Sequence, residues 1–386
     1  MPTTRSATAK KGEIFSAAVR DLASDGRGVV AHPNGLTVFV PGVWPGEFGS
    51  FRFTGLQNRV GTAELIELGE ASNKRTQPAC PHHGFGPGDC GGCPWQFANY
   101  DAQLAAKQQR VESAAKRITE TPVNPIWPSP AVYGYRNRAQ LKTDGQQLGY
   151  VSAASHRLAP IEDCPILTDV NRHTLKQLLL RLPETNWRPR KHAKWTTLDI
   201  DETTDSNSVL VNQRLPFRQS NSEQNEAMRN WLADRCAALD KEDSVLELFC
   251  GSGNFTLVLT DAGFARIVAV DGSGPATESL TARNLPNVSV LTRDLFQAEC
   301  CGAIVRQHGP FSTLVLDPPR DGFRHIAKLL TQKNKPEQVF YISCNLATLF
   351  RDLALLQELG YHIAELQPLD QAPHTPHIEM LAHLRL

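Results

Sequence analysis

Cys344 stands where a covalent step could be run. It closes the apolar run Val339–Ile342 in "VFYISCNLATLFRDL", between polar Ser343 and Asn345. A helix-like stretch with Leu349, Leu353 and Leu356 on one face follows it. A strand that ends in a thiol carries it to the sheet edge, within reach of a ligand. The helix expected after Cys344 points its positive dipole end at the sulfur, which favours the thiolate. A thiolate beside a pyrimidine can add to C6 and make C5 carbanion-like. C5 can then take a methyl group from a sulfonium, and a base that removes the C5 proton lets the thiolate leave.

Other strand ends carry matching groups. "LELFCGSGNFTL" finishes an apolar run in Gly251-Ser252-Gly253-Asn254. Glycines let the backbone approach a ligand closely. Phe255 stands where the dinucleotide fingerprint has its third glycine, so the loop suits a cofactor without a pyrophosphate. "IVAVDG" sets Asp271 at the next strand end, where a carboxylate can accept both ribose hydroxyls, and "LTRDLF" offers Asp294 at the third, where adenine would lie. Loop, ribose acid and third-strand acid, in this order, match the S-adenosylmethionine site of class I methyltransferases. "LVLDPPRDG" adds Asp317-Pro318-Pro319-Arg320. Two prolines keep the chain extended and hold Asp317 at the pocket rim. Related Asp-Pro-Pro motifs of enzymes that methylate exocyclic amino groups end in an aromatic. Arg320 in that place speaks against an amino-nitrogen acceptor.

These groups need a sheet to hold them. From Asp243 onward apolar strands and helical stretches alternate, which predicts an α/β, mostly parallel, doubly wound sheet with ligands beyond its carboxyl ends. Ahead of it, Gly12 to Leu68 alternates apolar and polar residues between turns, Pro33-Asn34-Gly35 among them, and reads as a small barrel of about five short strands. "CPHHGFGPGDCGGCPWQ" is too rich in Gly and Pro for regular structure, and "ANYDAQLAAKQQRVESAAKRI" reads as a helix. Gly134 to about Asn212 reads as a mixed-sheet insertion. In the helix "NSEQNEAMRNWLADRCAAL", Met228, Trp231, Leu232 and Leu239 recur at core-facing spacing.

The 386 residues imply two or three domains, and 41% hydrophobic with 21% charged residues is the balance of a soluble globular protein. No apolar run approaches the roughly 20 residues of a membrane span. The start, "MPTTRSATAKKGEIF", is basic without an apolar core. It is expected to be a frayed terminus rather than a secretory signal, in a cytoplasmic protein. Nine cysteines include clustered Cys80, Cys90 and Cys93, with Cys164 apart. In a reducing compartment such a set more often holds metal than disulfides. Four thiolates from two segments fit a 4Fe–4S cluster or tetrahedral zinc, and His82 and His83 offer alternative zinc ligands.

Forty Lys and Arg balance forty Asp and Glu, but Asp101 to Trp195 holds fifteen against eight. "NWRPRKHAKW" interleaves Arg188, Arg190, Lys191 and Lys194 with Trp187 and Trp195, a pattern suited to a phosphate backbone and unstacked bases. "YGYRNRAQLKTD" sets Tyr135, Arg136, Arg138 and Lys142 on one expected strand, able to hold the neighbours of a base flipped out of folded RNA.

"SCNLATLFRDL", "DPPR", "LELFCGSGNF" and "HTPHIEMLAHL" together resemble the RNA (uracil-5-)-methyltransferase family over essentially the whole chain. The nearest branch is similar to bacterial 23S ribosomal RNA enzymes that carry an iron–sulfur cluster. The resemblance implies a TRAM-like RNA-binding barrel at 1–70, a central α+β domain with a 4Fe–4S cluster at 71–215, and a Rossmann-like methyltransferase domain at 216–386. It assigns the nucleophile to Cys344 and the general base to Glu379. Contacts to S-adenosylmethionine fall on Gln219, Phe249, Asn254, Asp271, Asp294 and Asp317, and the cluster ligands on Cys80, Cys90, Cys93 and Cys164. Gln219 and Asn221 match the family's Phe-x-Gln-x-Asn. Two departures are visible: Leu346 replaces a proline, and "PHHGFGPGD" lengthens the first cysteine loop, which is expected to bulge out without moving the sulfurs. The implied partner is structured RNA, 23S rRNA first and transfer RNA second, and the implied state a monomer. A non-catalytic RNA-binding protein is the rival, which the presence of Cys344, Glu379 and Asp317 opposes.

Overall fold

A computed structural model describes residues 9–57, 60–153, 155, 157–213, 215, 217–330 and 334–386; of the start expected to fray, residues 1–8 lie outside the described residues, whereas Ile14 and Phe15 open the first strand and Phe15 is buried. The chain packs into two compact units: Met1–Ala106, Val132–Arg214 and Pro373–Pro376 in one, Lys107–Ala131, Leu215–Ala372 and His377–Leu386 in the other.

In the first unit β1 (Ile14–Leu22), β2 (Gly28–Ala31), β3 (Thr37–Val40), β4 (Phe48–Gln57) and β5 (Val60–Glu70) close into a barrel of order β1-β2-β3-β5-β4. The expected small barrel is therefore present, with the Pro33-Asn34-Gly35 turn joining β2 to β3. Alternation fills it: Phe15, Val19, Val30, Val38, Val40, Phe51 and Phe53 face inward and are buried. Helix α1 (Tyr100–Ala115) follows the Gly/Pro-rich segment. Strands β6 (Arg138–Thr143), β7 (Leu148–Val151) and β8 (Leu158–Pro160), helix α2 (Asp169–Leu180) and strand β9 (Thr196–Asp201) come next. The sheet β8-β7-β6-β9 is antiparallel at every pairing, not mixed. The six residues between β7 and β8 leave room for a hairpin but not for a crossover helix.

The second unit is α/β. Helix α3 (Ser222–Cys236) leads into β10 (Ser244–Leu248), α4 (Thr256–Asp261), β11 (Arg266–Asp271), α5 (Gly274–Thr281), β12 (Val288–Thr292), α6 (Ala298–His308), β13 (Thr313–Leu316), α7 (Ile326–Leu329), β14 (Gln338–Ser343), α8 (Leu346–Glu358), β15 (His362–Leu369) and β16 (Glu379–Arg385). The sheet order is β12-β11-β10-β13-β14-β16-β15; β10 to β14 pair in parallel, while β16 runs antiparallel to both β14 and β15. Helices cover both faces, so the central strands read as apolar runs rather than alternations. One face packs Leu246, Val268, Leu314, Val339 and Tyr341 against Leu349, Leu353 and Leu356 of α8. The other packs Val245, Ile267, Val315, Phe340 and Ile342 against Met228, Trp231 and Leu232 of α3. Each fully buried Leu or Ile contributes roughly 1.5–3 kcal/mol, so the two faces dominate the stability of the unit. Strand β15 is not marked by the sequence pattern, because Pro368 near its end argues against a strand and Glu365 and Gln367 break the apolar run. Among the described residues no helix is long and apolar enough to cross a membrane.

Candidate active site

The end of β10 delivers a loop held in shape from three sides. Phe249 has φ +61°, a strained value for a bulky residue and one that clusters at functional sites. Gly253 has φ +96°, and a Cβ there would lie 2.5 Å from Leu280 Cδ1, so glycine is required. The Asp271 carboxylate accepts from Gly251 N at 2.9 Å and Ser273 N at 2.7 Å, tying the loop to the next strand end. Asn254 and Asn225 of α3 exchange two amide hydrogen bonds, at 3.0 and 2.8 Å, and the Arg229 guanidinium donates to the Asn254 carbonyl. Asn254, expected to meet the cofactor, thus uses its amide to anchor the loop.

Phe249 packs its ring on Phe296 and Phe323, 5.8 and 5.3 Å between centroids. Asp294 accepts from Phe296 N and Gln297 Nε2 after β12 and lines a cavity of about 250 Å³ with Leu291, Arg293 and Cys300. Gln219 accepts from Gln371 Nε2 at 3.1 Å. Asn221, its neighbour in the motif, is the N-cap of α3 and donates to Ser129 Oγ. Its spacing therefore reflects helix capping, worth about 1 kcal/mol.

Sequence reasoning missed Glu247, which is buried within β10. Burial, then the charges of Asp317 and Asp271, raise its pKa to about 8, and Thr256 Oγ1 donates to it at 2.6 Å. An acid inside the apolar run "LELF" was the available signal. Asp317, after β13, is raised to about 7 by burial, with Asp271 adding.

Cys344 follows β14. The flanking Ser343 and Asn345 make the turn: Asn345 N donates to Ser343 Oγ at 3.2 Å, and Asn345 Oδ1 caps α8 through Ala347 N. The strand register pairs Ser343 with Met380, which brings Glu379 alongside Cys344. Glu379 is buried; burial and then Asp317 raise its pKa well above the usual carboxylate range, while Arg320 opposes them. Burial, then Glu379, push the Cys344 thiol up to about 11; Arg320 lowers it and Asp317 adds to the rise. This corrects the expectation of a thiolate favoured by the helix dipole. In the free chain burial and a neighbouring acid outweigh the dipole, worth typically 0.3–1 kcal/mol. The charge of Arg320 acts on both Cys344 and Glu379, an influence that the motif match alone does not reveal.

The family model for tRNA (uracil-5-)-methyltransferase matches residues 202–385. An uncharacterised RNA methyltransferase of Nitrosomonas europaea is 39% identical, covering 95% of this chain and 96% of its own length. The 23S rRNA (uracil(1939)-C(5))-methyltransferases RlmD of Halomonas elongata and Yersinia enterocolitica are each 31% identical, over 94% and 96% of this chain and 88% and 95% of theirs. The chain belongs to the RNA (uracil-5-)-methyltransferase family. The crystal structure of the Pyrococcus abyssi tRNA (uracil-54, C5)-methyltransferase with S-adenosyl-L-homocysteine is similar in fold: TM-score 0.72, 22% identity, 96% of this chain and 100% of that one. The Rossmann-like methyltransferase fold that the family resemblance implied is thereby established.

In this uracil-5 methyltransferase Cys80, Cys90, Cys93 and Cys164 lie in the first unit and act on one another. Burial raises all four thiols, Cys164 to about 11, and the other cysteines' charges add to the rise at Cys90, Cys93 and Cys164. Among the described residues, no three His, Cys, Asp or Glu side chains are gathered at a spacing that holds a metal ion. His82 Nε2 already accepts from Glu162 N at 3.1 Å, which removes it as a zinc ligand in this arrangement. The lengthened loop does not simply bulge outward: Phe85 packs on Phe97 and His83, and it fills the space beside Gly42.

The basic stretches are partly committed elsewhere. Trp187 is buried under the Arg181 guanidinium, so it cannot stack on a base, whereas Arg188, Arg190, Lys191 and Lys194 are exposed. Tyr135 is buried and precedes β6 with Arg136; Arg138 pairs with buried Asp199 at 2.5 Å and Lys142 donates to Thr197 Oγ1.

Proposed function

We propose that the protein methylates C5 of a uridine in 23S rRNA, with S-adenosylmethionine supplying the methyl group. Cys344 Sγ forms a bond to C6, and the electrons of the C5–C6 double bond move to C5. After C5 has gained the methyl group, Glu379 takes the C5 proton and the C6–S bond breaks, restoring the double bond. The observation that carries this reading is the register that lays Glu379 beside Cys344 at the carboxyl end of the sheet, with Asp317 and Arg320 as the other charges acting on the pair. The setting fits a cationic cofactor: Glu247, Asp271 and Asp317 cluster by the strained Phe249–Asn254 loop. Gln219, Phe249, Asn254, Asp271, Asp294 and Asp317 are the residues proposed to hold it, Asn254 through the loop it anchors.

The RlmD relatives favour 23S rRNA. Transfer RNA is the second reading, favoured by the family model and the solved archaeal structure. Mapping 5-methyluridine in ribosomal and transfer RNA of cells with and without the protein decides between them. With RNA carrying 5-fluorouridine, the wild type should form an adduct through Cys344. Cys344→Ala should form none, lose methyl transfer by at least about a thousandfold, and still bind RNA. Methyl transfer surviving in that variant would defeat the covalent reading.

We also propose that Cys80, Cys90, Cys93 and Cys164 close around a structural 4Fe–4S cluster, supported by their mutual electrostatic coupling and their two-segment origin. The cluster would tie the two segments together; methyl transfer needs no electron from it. Iron and sulfide analysis of anaerobically purified protein tests this, and stoichiometric zinc without iron would reject it. The barrel and the exposed basic run are assigned to RNA binding by a monomeric, cytoplasmic enzyme.

A further inference from the structure

The start of α8 does more than follow the nucleophile. Its polar face holds the loop after the Asp-Pro-Pro motif along four consecutive residues. Asn345 Nδ2 and Thr348 Oγ1 both donate to the Arg320 carbonyl, at 2.8 and 3.0 Å. Arg351 Nη2 donates to the Asp321 carbonyl at 3.0 Å. Gly322 has φ +67°, and a Cβ there would lie 2.6 Å from Asp352 Oδ2 and 2.7 Å from Arg351 Nη2. Asp352 is fully buried and accepts from Phe323 N and the Tyr341 hydroxyl, both at 2.6 Å. Asn345 carries two loads, since its Oδ1 also caps α8.

We propose that this face of α8 is a positioning clamp, in which Asn345 and Thr348 fix the main chain of Arg320 so that its guanidinium stays beside the Cys344 sulfur and the Glu379 carboxyl. The proposal rests on the reading of Cys344 as nucleophile and gives Asn345 and Thr348 a positioning role through Arg320. The groups acting on Cys344 are Glu379 from β16 and Asp317 and Arg320 after β13. Arg320 is the one cation among them, and its charge lowers the thiol against the two acids. Two hydrogen bonds to one carbonyl leave a long exposed side chain with a fixed base. Removing either loosens the base without cutting into the core.

The test is the pH profile of Cys344 alkylation by iodoacetamide in the full-length protein, resolved from the other cysteines by mass spectrometry of the Cys344 peptide. Thr348→Val removes the hydroxyl at constant shape, and Asn345→Ser removes the amide donor but keeps a capping oxygen. Each should move the Cys344 titration upward and slow alkylation at pH 8 several-fold, since one pKa unit is about a tenfold change in thiolate. Thr348→Ser should restore the wild-type profile. Arg320→Gln should shift it at least as far, and in that background neither clamp variant should add anything. A wild-type profile in both clamp variants, or full additivity with Arg320→Gln, overturns the clamp. Additivity would instead mark a frayed helix end acting through its dipole. Failure of the wild type to form a 5-fluorouridine adduct would sink the covalent reading of Cys344 while leaving the alkylation cycle to report on the clamp.

Discussion

Burial raises the pKa of both Cys344 and Glu379, and both groups must be deprotonated before the proposed chemistry can run. The thiol lies at about 11 and the carboxyl well above its ordinary range, each raised first by burial. A group that must lose a proton and whose pKa is raised works faster as pH rises. Single-turnover methyl transfer should therefore climb from pH 6 to 9, by up to about tenfold per unit for each titrating group. A flat profile would show that substrate and cofactor binding have already removed both protons. The place of Cys344 just after an apolar strand was legible in the run Val339–Ile342, while the roles expected of Cys344 and Glu379 came from the family resemblance. Glu247 and Arg320 were not legible as site members, because their influence depends on which strand ends become neighbours, a property of the sheet order rather than of spacing along the chain.

At the scale of elements, α3 does for the glycine loop what α8 does for the Arg320 loop. The amide pair between Asn225 and Asn254, with Arg229 on the Asn254 carbonyl, stakes the loop from a helix that reaches it only in the folded chain. Asn225→Ala should weaken binding of S-adenosylhomocysteine about tenfold, as expected when a half-buried amide loses its partner at about 1–2 kcal/mol. Isothermal titration calorimetry measures this, and an unchanged Kd would show that the loop keeps its shape alone. The parallel strands were legible as apolar runs between helical stretches. Strand β15 was hidden by Pro368, and the antiparallel character of the central sheet by its short, polar strands. The expected aromatic platform at Trp187 failed because periodicity cannot distinguish an exposed ring from one covered by an arginine.

For the molecule as a whole, the buried acids bear on stability. Glu247 rises from 4.5 to about 8 and Asp317 from 3.8 to about 7, both through burial first. An acid with a raised folded pKa contributes stability below its unfolded value and loses it as pH climbs through the folded one. His383 moves the other way, from 6.5 to about 4, so its contribution is complete above pH 6.5. Between pH 6.5 and 8 the acids alone remain, and the melting temperature of the ligand-free protein should fall. Glu247→Gln, isosteric and uncharged, should shrink that fall, and an identical slope in the variant would exclude Glu247 as its source. The barrel and the α/β unit were legible at this scale because each repeats one period over many residues. The grouping of Cys80, Cys90, Cys93 and Cys164 was drawn from the sequence and the family resemblance, across the helix α1 and most of the antiparallel sheet.

The pairing of Ser343 with Met380 has a further consequence for how this protein can vary. Side chains of a strand alternate between its two sides, so adding or deleting one residue at the start of β16 would turn the carboxylate away from the sulfur while leaving the backbone ladder intact. A single-residue indel inside the laddered stretch should therefore yield a folded protein whose Glu379 no longer faces Cys344 and which cannot finish the reaction.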